Sequence, residues 1–522
     1  MRSRNIITSS EVIVECCYSE LDLESRHFAI TSMRVVNTNI NRRMNMKKTL
    51  VSLAAVAALT TGAMAADKGI DIKTTGQAVV YYNTLGNNAK DGADLFSSNG
   101  DNDNTRASYG IQLNLDADLK NGFTFGSTIN YLGTLGLEKN AVNGTMQNVN
   151  GSTAKGSTTV QQALQETGID DDIYLAQIYI AKKMGNTTLK LGRQELPKSL
   201  SPFAFSEGWN VFKNTFDAIL VVNTDIPDTA IVGAYVAKGN GNGFGNNMSS
   251  FTDLVTSVTT RDTTTGKTGT IKPGVEGTAY MLTVQNKSIP LTTITASYYD
   301  LAKIGQSASS TGHGGIGANV IWADVLVAGK DMPLGMKIGV QGGQVSPDSK
   351  FEDFQTKGND VKFADTTAYG IKFGMKPVDM FSFCLAYTSV DGDDKKANVA
   401  VKNTTGVKTP LYTQMVANQD WIALDSDTIM AKFVLNTGDF GKIILQGSQS
   451  NVGESGLTTY NNSETGKDIK GNDLLDIELL YKVKAAGINW LAAYISQDFD
   501  KDKGTKNATH NDIVRFVARY NF

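Results

Sequence analysis

The sequence predicts an all-β chain: a closed antiparallel transmembrane β-barrel of about eighteen strands, with short turns at one end and long loops at the other. Three observations lead there. The first is alternation. In "ASYGIQLNLDADLKNGFTFGSTINYLG" (107–133), Tyr109, Ile111, Leu113, Leu115, Ala117 and Leu119 are apolar and the residues between them are not. A period of two is a strand with one oily face, and these runs are far longer than an ordinary strand of ~5–6 residues. The second is that the connections between such runs alternate strictly between short and long. The third is the ending, "DIVRFVARYNF". There Val514, Phe516, Ala518, Tyr520 and Phe522 share one face of a last strand that stops on an aromatic.

Taken in order, the chain begins with a processing signal. Lys47 and Lys48 precede a short apolar run from Leu50 to Leu59, and Ala63-Met64-Ala65 fits the small-residue cleavage rule. That run is too short for a helix of ~20 residues spanning a membrane. Residues 46–65 therefore read as a secretion signal, with Ala66 as the first mature residue. Residues 1–45, which precede it, read as a mis-called start, with translation beginning at Met46. The barrel is then 66–522, with 41 basic and 47 acidic residues and a net charge of −6. Only Cys384 remains, so no intrachain disulfide forms. Nothing basic enough for nucleic acid is present.

The first strand is expected at 69–83. Strands 107–119 and 122–133 flank Lys120-Asn121-Gly122, where Asn-Gly is a hairpin signal. Strands 172–183 and 187–195 meet at Met184-Gly185-Asn186, and 215–223 and 229–238 at "TDIPDT". The pairs 276–287 with 290–301, 316–329 with 334–346, and 365–375 with 378–390 turn at Lys287-Ser288-Ile289, "KDMP" and Lys376-Pro377. The pairs 424–436 with 440–451 and 474–485 with 487–498 turn at "TGDFG" and Ala486-Gly487, and 512–522 is the last strand. Long polar connections separate these hairpins, near 84–106, 134–171, 196–214, 239–275, 302–315, 347–364, 391–423, 452–473 and 499–511.

A membrane-spanning strand needs ~9–11 residues, and its oily side faces lipid. Closure is required because hydrocarbon cannot satisfy an open edge. A β-sandwich has shorter strands and a β-solenoid a repeated motif; neither gives alternating connection lengths. Tyr81, Tyr82, Phe123, Tyr131, Tyr174, Tyr235, Tyr280, Tyr298, Trp490, Tyr494 and Tyr520 fit aromatic girdles at strand ends or outward positions.

Here the residues reach a family. The signal, "TTGQAVVYYNT" and Phe522 resemble bacterial porins. The stretch 189–241 resembles the major outer-membrane porins of campylobacter-type bacteria, through Gly192-Arg193-Gln194, Trp209, Asn214-Thr215-Phe216 and Asp225-Ile226-Pro227. The resemblance implies an eighteen-stranded homotrimeric diffusion channel of the outer membrane for ions and small hydrophilic solutes. It also implies that the loop after the fifth strand, 196–214, folds inward and narrows the pore. Tyr520 and Phe522 would be the signal read by the barrel-assembly machinery. No cofactor and no reaction are implied.

On this reading the constriction carries Arg193, Glu195, Lys198, Glu207, Lys213 and Asp217, and the lumen wall carries Arg106, Arg515 and Arg519. Alternation from Leu189 and Leu191 sends Arg193 toward lipid, where a charge costs ~2–4 kcal/mol at mid-depth. A bulge or the strand end is expected to turn it inward, as the resemblance to porins implies. Arginines facing Glu195, Glu207 and Asp217 across the opening would set a transverse field; alternatively these groups pair with one another and pin the loop. The net charge argues weak cation selectivity, and the lumenal arginines oppose it. A substrate-specific channel and a surface adhesin are the rival readings.

"DFDKDKG" (498–504) has calcium-loop spacing but a late glycine and no Glu at the twelfth place. "DGDD" (391–394) and Asp170-Asp171-Asp172 leave surface or lumenal Ca²⁺ open. "GNGNGFG" (239–245) lacks the context of a phosphate loop. His313 and His510 are the only mature histidines, too few for a barrel hydrolase.

Overall fold

The computed structural model describes residues 70–88, 92–97, 104–133, 172–241, 248–254, 277–306, 315–348, 364–393, 398–405, 407–453, 472–499 and 510–522, with a few short pieces of the long connections. The signal, the 1–45 segment, His313, 500–509 and most of 134–171 and 239–275 lie outside the described residues.

Eighteen long strands are found among the described residues. They are β1 (Asp71–Asn87), β2 (Asn104–Lys120), β3 (Phe123–Gly133), β4 (Asp172–Met184), β5 (Thr187–Gln194), β6 (Phe216–Asn223), β7 (Thr229–Gly239), β8 (Thr278–Asn286) and β9 (Thr292–Gln306). They continue with β10 (Gly315–Ala328), β11 (Lys337–Pro347), β12 (Thr366–Val378), β13 (Phe381–Asp391), β14 (Ser426–Asn436), β15 (Lys442–Val452), β16 (Asn472–Ala485), β17 (Ile488–Phe499) and β18 (His510–Asn521). Each pairs antiparallel with its neighbours in sequence, and β1 also pairs with β18, so the sheet is closed.

Alternation becomes two faces. In β16, Leu475, Ile477, Leu479 and Tyr481 are exposed on the outside, while Leu474, Asp476, Glu478 and Leu480 are buried inside. The girdle assignment holds for Tyr280, Tyr298, Trp490, Tyr494 and Tyr520, which are exposed. It fails for Tyr81 and Tyr174, which are buried on the inner face. Tyr81 and Tyr82 are consecutive, and consecutive strand residues point to opposite faces.

The seam is closed by the chain's last residue. The Gly76 N–H donates to the Phe522 carbonyl at 2.7 Å and the Phe522 N–H to the Gly76 carbonyl at 2.9 Å. The Phe522 ring lies on Gly76, where a Cβ would stand 2.6 Å from both that ring and the Gln112 carbonyl. Gly76→Val is therefore expected to destabilise the seam by ~1–3 kcal/mol of overpacking. The check is the temperature at which the barrel loses its heat-modifiable mobility; an unchanged temperature would mean that the ring moves aside freely.

Candidate functional site

Two of the long connections form one body inside the wall. The first runs from Glu195 to Thr215. Leu196, Phe203, Phe205, Val211 and Phe212 in it are all buried, which polar surface loops have no reason to do. Phe203 packs 5.6 Å from the Tyr299 ring on β9 and 5.4 Å from Trp322 on β10. Its N–H donates to the Tyr299 hydroxyl at 3.3 Å. Farther along, the Tyr81 hydroxyl on β1 donates to the Trp209 carbonyl at 3.2 Å. Arg519 on β18 donates to the carbonyls of Val211 at 3.1 Å and Asn210 at 3.2 Å. The Phe212 ring lies on Gly110 of β2, where a Cβ would meet it at 2.7 Å. The segment leaves β5 and enters β6, yet touches β9–β10 on one side and β18–β1–β2 on the other. It crosses the interior.

The second connection, expected at 391–423 among the outward polar loops, spans 392–425 and lies inside, and the structure corrects that expectation. The Asn403 side chain accepts from the Phe205 N–H at 3.1 Å and donates to the Phe205 carbonyl at 2.8 Å. The Thr404 N–H donates to the Phe203 carbonyl at 2.8 Å, and the Lys198 ammonium to the Thr409 carbonyl at 2.8 Å. The two loops are thus hydrogen-bonded into one body inside the wall. Tyr412 donates to Asp324 on β10 and lies under the Lys372 ammonium of β12, 3.8 Å from the ring centre.

A buried clamp holds the far end of this loop. Glu478 on β16 accepts the N–H groups of Val416 at 2.8 Å and Ala417 at 3.0 Å, and also the Gln446 amide. Lys408 donates to the carbonyls of Met415 at 3.1 Å and of Val416. One side chain takes the amides of this stretch and the other its carbonyls. Burial pulls the Lys408 pKa below its usual range, and the carboxylates of Glu207 and Glu478 oppose that pull.

The clue in the sequence was composition. Leu411, Met415, Val416, Ile422 and Leu424 are all buried. Glu478 was also missed; it stands at strand period with Asp476, between apolar residues.

The residues singled out from sequence fall as follows. Arg515 and Arg519 face the interior. Arg106 and Arg515 flank Asn83 in one row, so they share a wall. Arg515 donates to the Asn83 amide oxygen at 3.1 Å. The Arg519 guanidinium is occupied by the inner loop and Gln77. Lys213 pairs with Glu195 at 2.8 Å, and Glu207 accepts the Trp209 N–H at 2.7 Å.

Arg193 and Asp217 need correction. They were expected to face each other across the opening, but they are direct neighbours on β5 and β6. The guanidinium grips both Asp217 oxygens, at 2.7 and 3.1 Å, and donates its third bond to the Leu175 carbonyl. The Phe251 ring covers it at 3.2 Å. Gly192 just before it has a φ of +119°, a conformation open to glycine, while the strand runs on to Gln194 without a register shift. A pair this close is nearly neutral from across the pore, so it sets no transverse field.

Cys384 is buried. Among the described residues no group of three or more His, Cys, Asp or Glu is placed to hold a metal ion.

The closed barrel of eighteen antiparallel strands matches solved outer-membrane porin structures. The crystal structure of Pseudomonas aeruginosa OccK8 (OprE) superposes with a TM-score of 0.58 at 14% identity, covering 87% of this chain and 98% of that one. Acinetobacter baumannii OccAB3 gives 0.58 at 13%, covering 86% and 99%. Pseudomonas aeruginosa OccK2 (OpdF) in complex with glucuronate gives 0.55 at 12%, covering 87% and 98%. At these identities the likeness is one of fold. No family model matches the chain, and no curated protein matches it in sequence.

Proposed function

We propose that this protein is an outer-membrane channel passing ions and small hydrophilic solutes by diffusion, with 196–214 as its constriction loop. The observation that carries this reading is the pair of interlocked loops inside a barrel whose outer face is apolar. Irregular backbone is tolerated at such depth only where protein or a wet lumen surrounds it. The campylobacter-type resemblance of 189–241 belongs to the same reading, as do export by cleavage before Ala66, insertion through the Tyr520 and Phe522 ending, and assembly as a homotrimer. An intact mass beginning at Ala66 checks the cleavage, and the native mass of detergent-extracted protein checks the trimer. Planar-bilayer recording of the purified protein is the decisive test. Stepwise insertions with ohmic conductance are expected. Folded barrel without conductance would sink the channel and favour the adhesin.

A substrate-specific channel is the second reading. It draws on the fold shared with OccK2, crystallised with glucuronate. Saturation of solute flux, in place of a linear rise with concentration, would favour it.

A further inference from the structure

His510 is the first residue of β18, at the long-loop end of the wall. It has the parity of Phe516 and Tyr520, which are exposed, and so faces outward. It stands four residues beyond Val514, the partner of Tyr494 in the outer girdle. At ~3.3 Å per residue that is about 13 Å past the girdle, outside the apolar span. Its ring is held from both sides. Nδ1 lies 2.6 Å from Asp498 of β17, and Nε2 lies 3.0 Å from Asp512 of its own strand. The Tyr494 hydroxyl of β17 donates to Asp512 as well. The His510 N–H donates to the Asn88 side chain, just past β1, at 3.0 Å, and the Asn88 N–H donates back to the His510 carbonyl at 3.3 Å. One histidine thus ties together the outer ends of β1, β17 and β18. Among the described residues the charged groups acting on its ring are Asp498 and Asp512.

The same end of β17 carries the inner loop on its other face. Consecutive strand residues point to opposite sides, so Asp498 lies outside while Gln497 and Phe499 lie inside. The Gln497 amide donates to the Ala417 carbonyl at 3.4 Å. The Phe499 ring packs 4.8 Å from the ring of Trp421, on the helical turn Gln419–Ile422 of the 392–425 loop. Whatever fixes Asp498 from outside therefore fixes the strand end that holds the loop from inside.

Imidazole changes its charge between pH ~5 and 8. The protonated ring has an N–H on each nitrogen and donates to both carboxylates. The neutral ring keeps one N–H, and its other nitrogen turns a lone pair toward a carboxylate. One of the two links is then lost. The bond to Asp498 raises the His510 pKa above its usual value, burial opposes the rise, and the bond to Asp512 adds to it. A raised pKa means that the double link is complete in acid. It is lost as pH rises through the titration of the folded protein, on the alkaline side of ~6.5.

We propose that His510 is a pH-dependent staple. Protonated, it fixes the outer end of β17 and, through Phe499 and Trp421, steadies the 392–425 loop; deprotonated, it lets that loop fluctuate into the pore. The proposal rests on the channel reading.

The test is single-channel recording in planar bilayers from pH 6 to pH 9 at fixed ionic strength. In the wild type, partial closures are expected to become about fivefold more frequent over that range, the scale of one exposed ion pair. His510→Gln, which keeps a donor but never a charge, should close at the wild type's pH 9 rate at every pH. His313→Gln removes the other mature histidine and should leave the wild-type dependence intact. Asp498→Asn should move the midpoint toward acid. Phe499→Ala, with the staple intact, should close frequently at both ends of the range. Heat-modifiable mobility verifies that each variant folds. A wild-type closure rate that does not change with pH, the wild-type dependence in His510→Gln, or an unmoved midpoint in Asp498→Asn overturns the staple. The wild-type dependence in Phe499→Ala overturns the route through Trp421. An absence of any wild-type current overturns the channel reading instead.

Discussion

Glu478→Leu is expected to free the 392–425 loop from the wall and turn a steady channel into a noisy one. In the wild type Glu478 accepts two backbone amides and the Gln446 amide in a site closed to solvent. The leucine leaves those donors unsatisfied and removes the negative charge facing Lys408. Breaking one side of a buried charge arrangement costs ~3–5 kcal/mol, more than a loop held at one face can absorb without opening. Protease added to the folded barrel should then cut between residues 398 and 425, where the wild type resists, and single-channel records should show frequent partial closures. Glu478→Gln keeps one acceptor and should give a weaker effect in the same direction. If the leucine variant resists protease and stays as quiet as the wild type, the clamp is not what fixes the loop.

Deleting Ser199 to Asn210 should raise single-channel conductance severalfold and admit larger sugars while the wall still closes. The deletion removes Phe203 and Phe205, hence the hydrogen bonds that Asn403 and Thr404 make to the first loop. The second loop loses its support as well, so the effect exceeds the bulk removed. A cut inside 239–275, a natural control on sequence grounds, is unsuitable. Met248 and Leu254 of that connection are fully buried in the inner clusters, and Val258 pairs with Val399. An equal deletion within 146–171, past the buried Val142 and the Gly144–Thr145 pairing to β2, is the better control and should leave conductance nearly unchanged. Equal behaviour of the two deletions would refute the constriction assignment. Arg193→Ala/Asp217→Ala, which removes both charges of the pair, should leave ion preference almost unchanged, whereas Arg193→Ala alone leaves Asp217 uncompensated and should shift preference toward cations.

The eighteen strands, their turns and the final aromatic were legible because each signal is local. Lipid on one side and the lumen on the other impose a period of two within a dozen residues, and Asn121-Gly122 or Ala486-Gly487 marks its own turn. The inward path of 196–214 was legible in part, from its prolines and aromatics and from a family resemblance. Parity sufficed to send Arg515 and Arg519 inward.

The partners of those residues were not legible. Asn403 meets Phe205 across 198 positions of sequence, and Glu478 meets Val416 across 62. Whether a loop lies inside or outside depends on which distant backbone groups it satisfies, and no local pattern encodes that. The sequence by itself determined the wall, since each strand answers to lipid independently of the others. Only the tertiary structure decided the interior: that 392–425 joins 196–214, that Arg193 is neutralised beside Asp217 instead of facing a charge across the pore, and that Phe499 meets Trp421. Hydrogen bonds and charge pairs are short-ranged, and closing the barrel is what brings those groups within reach.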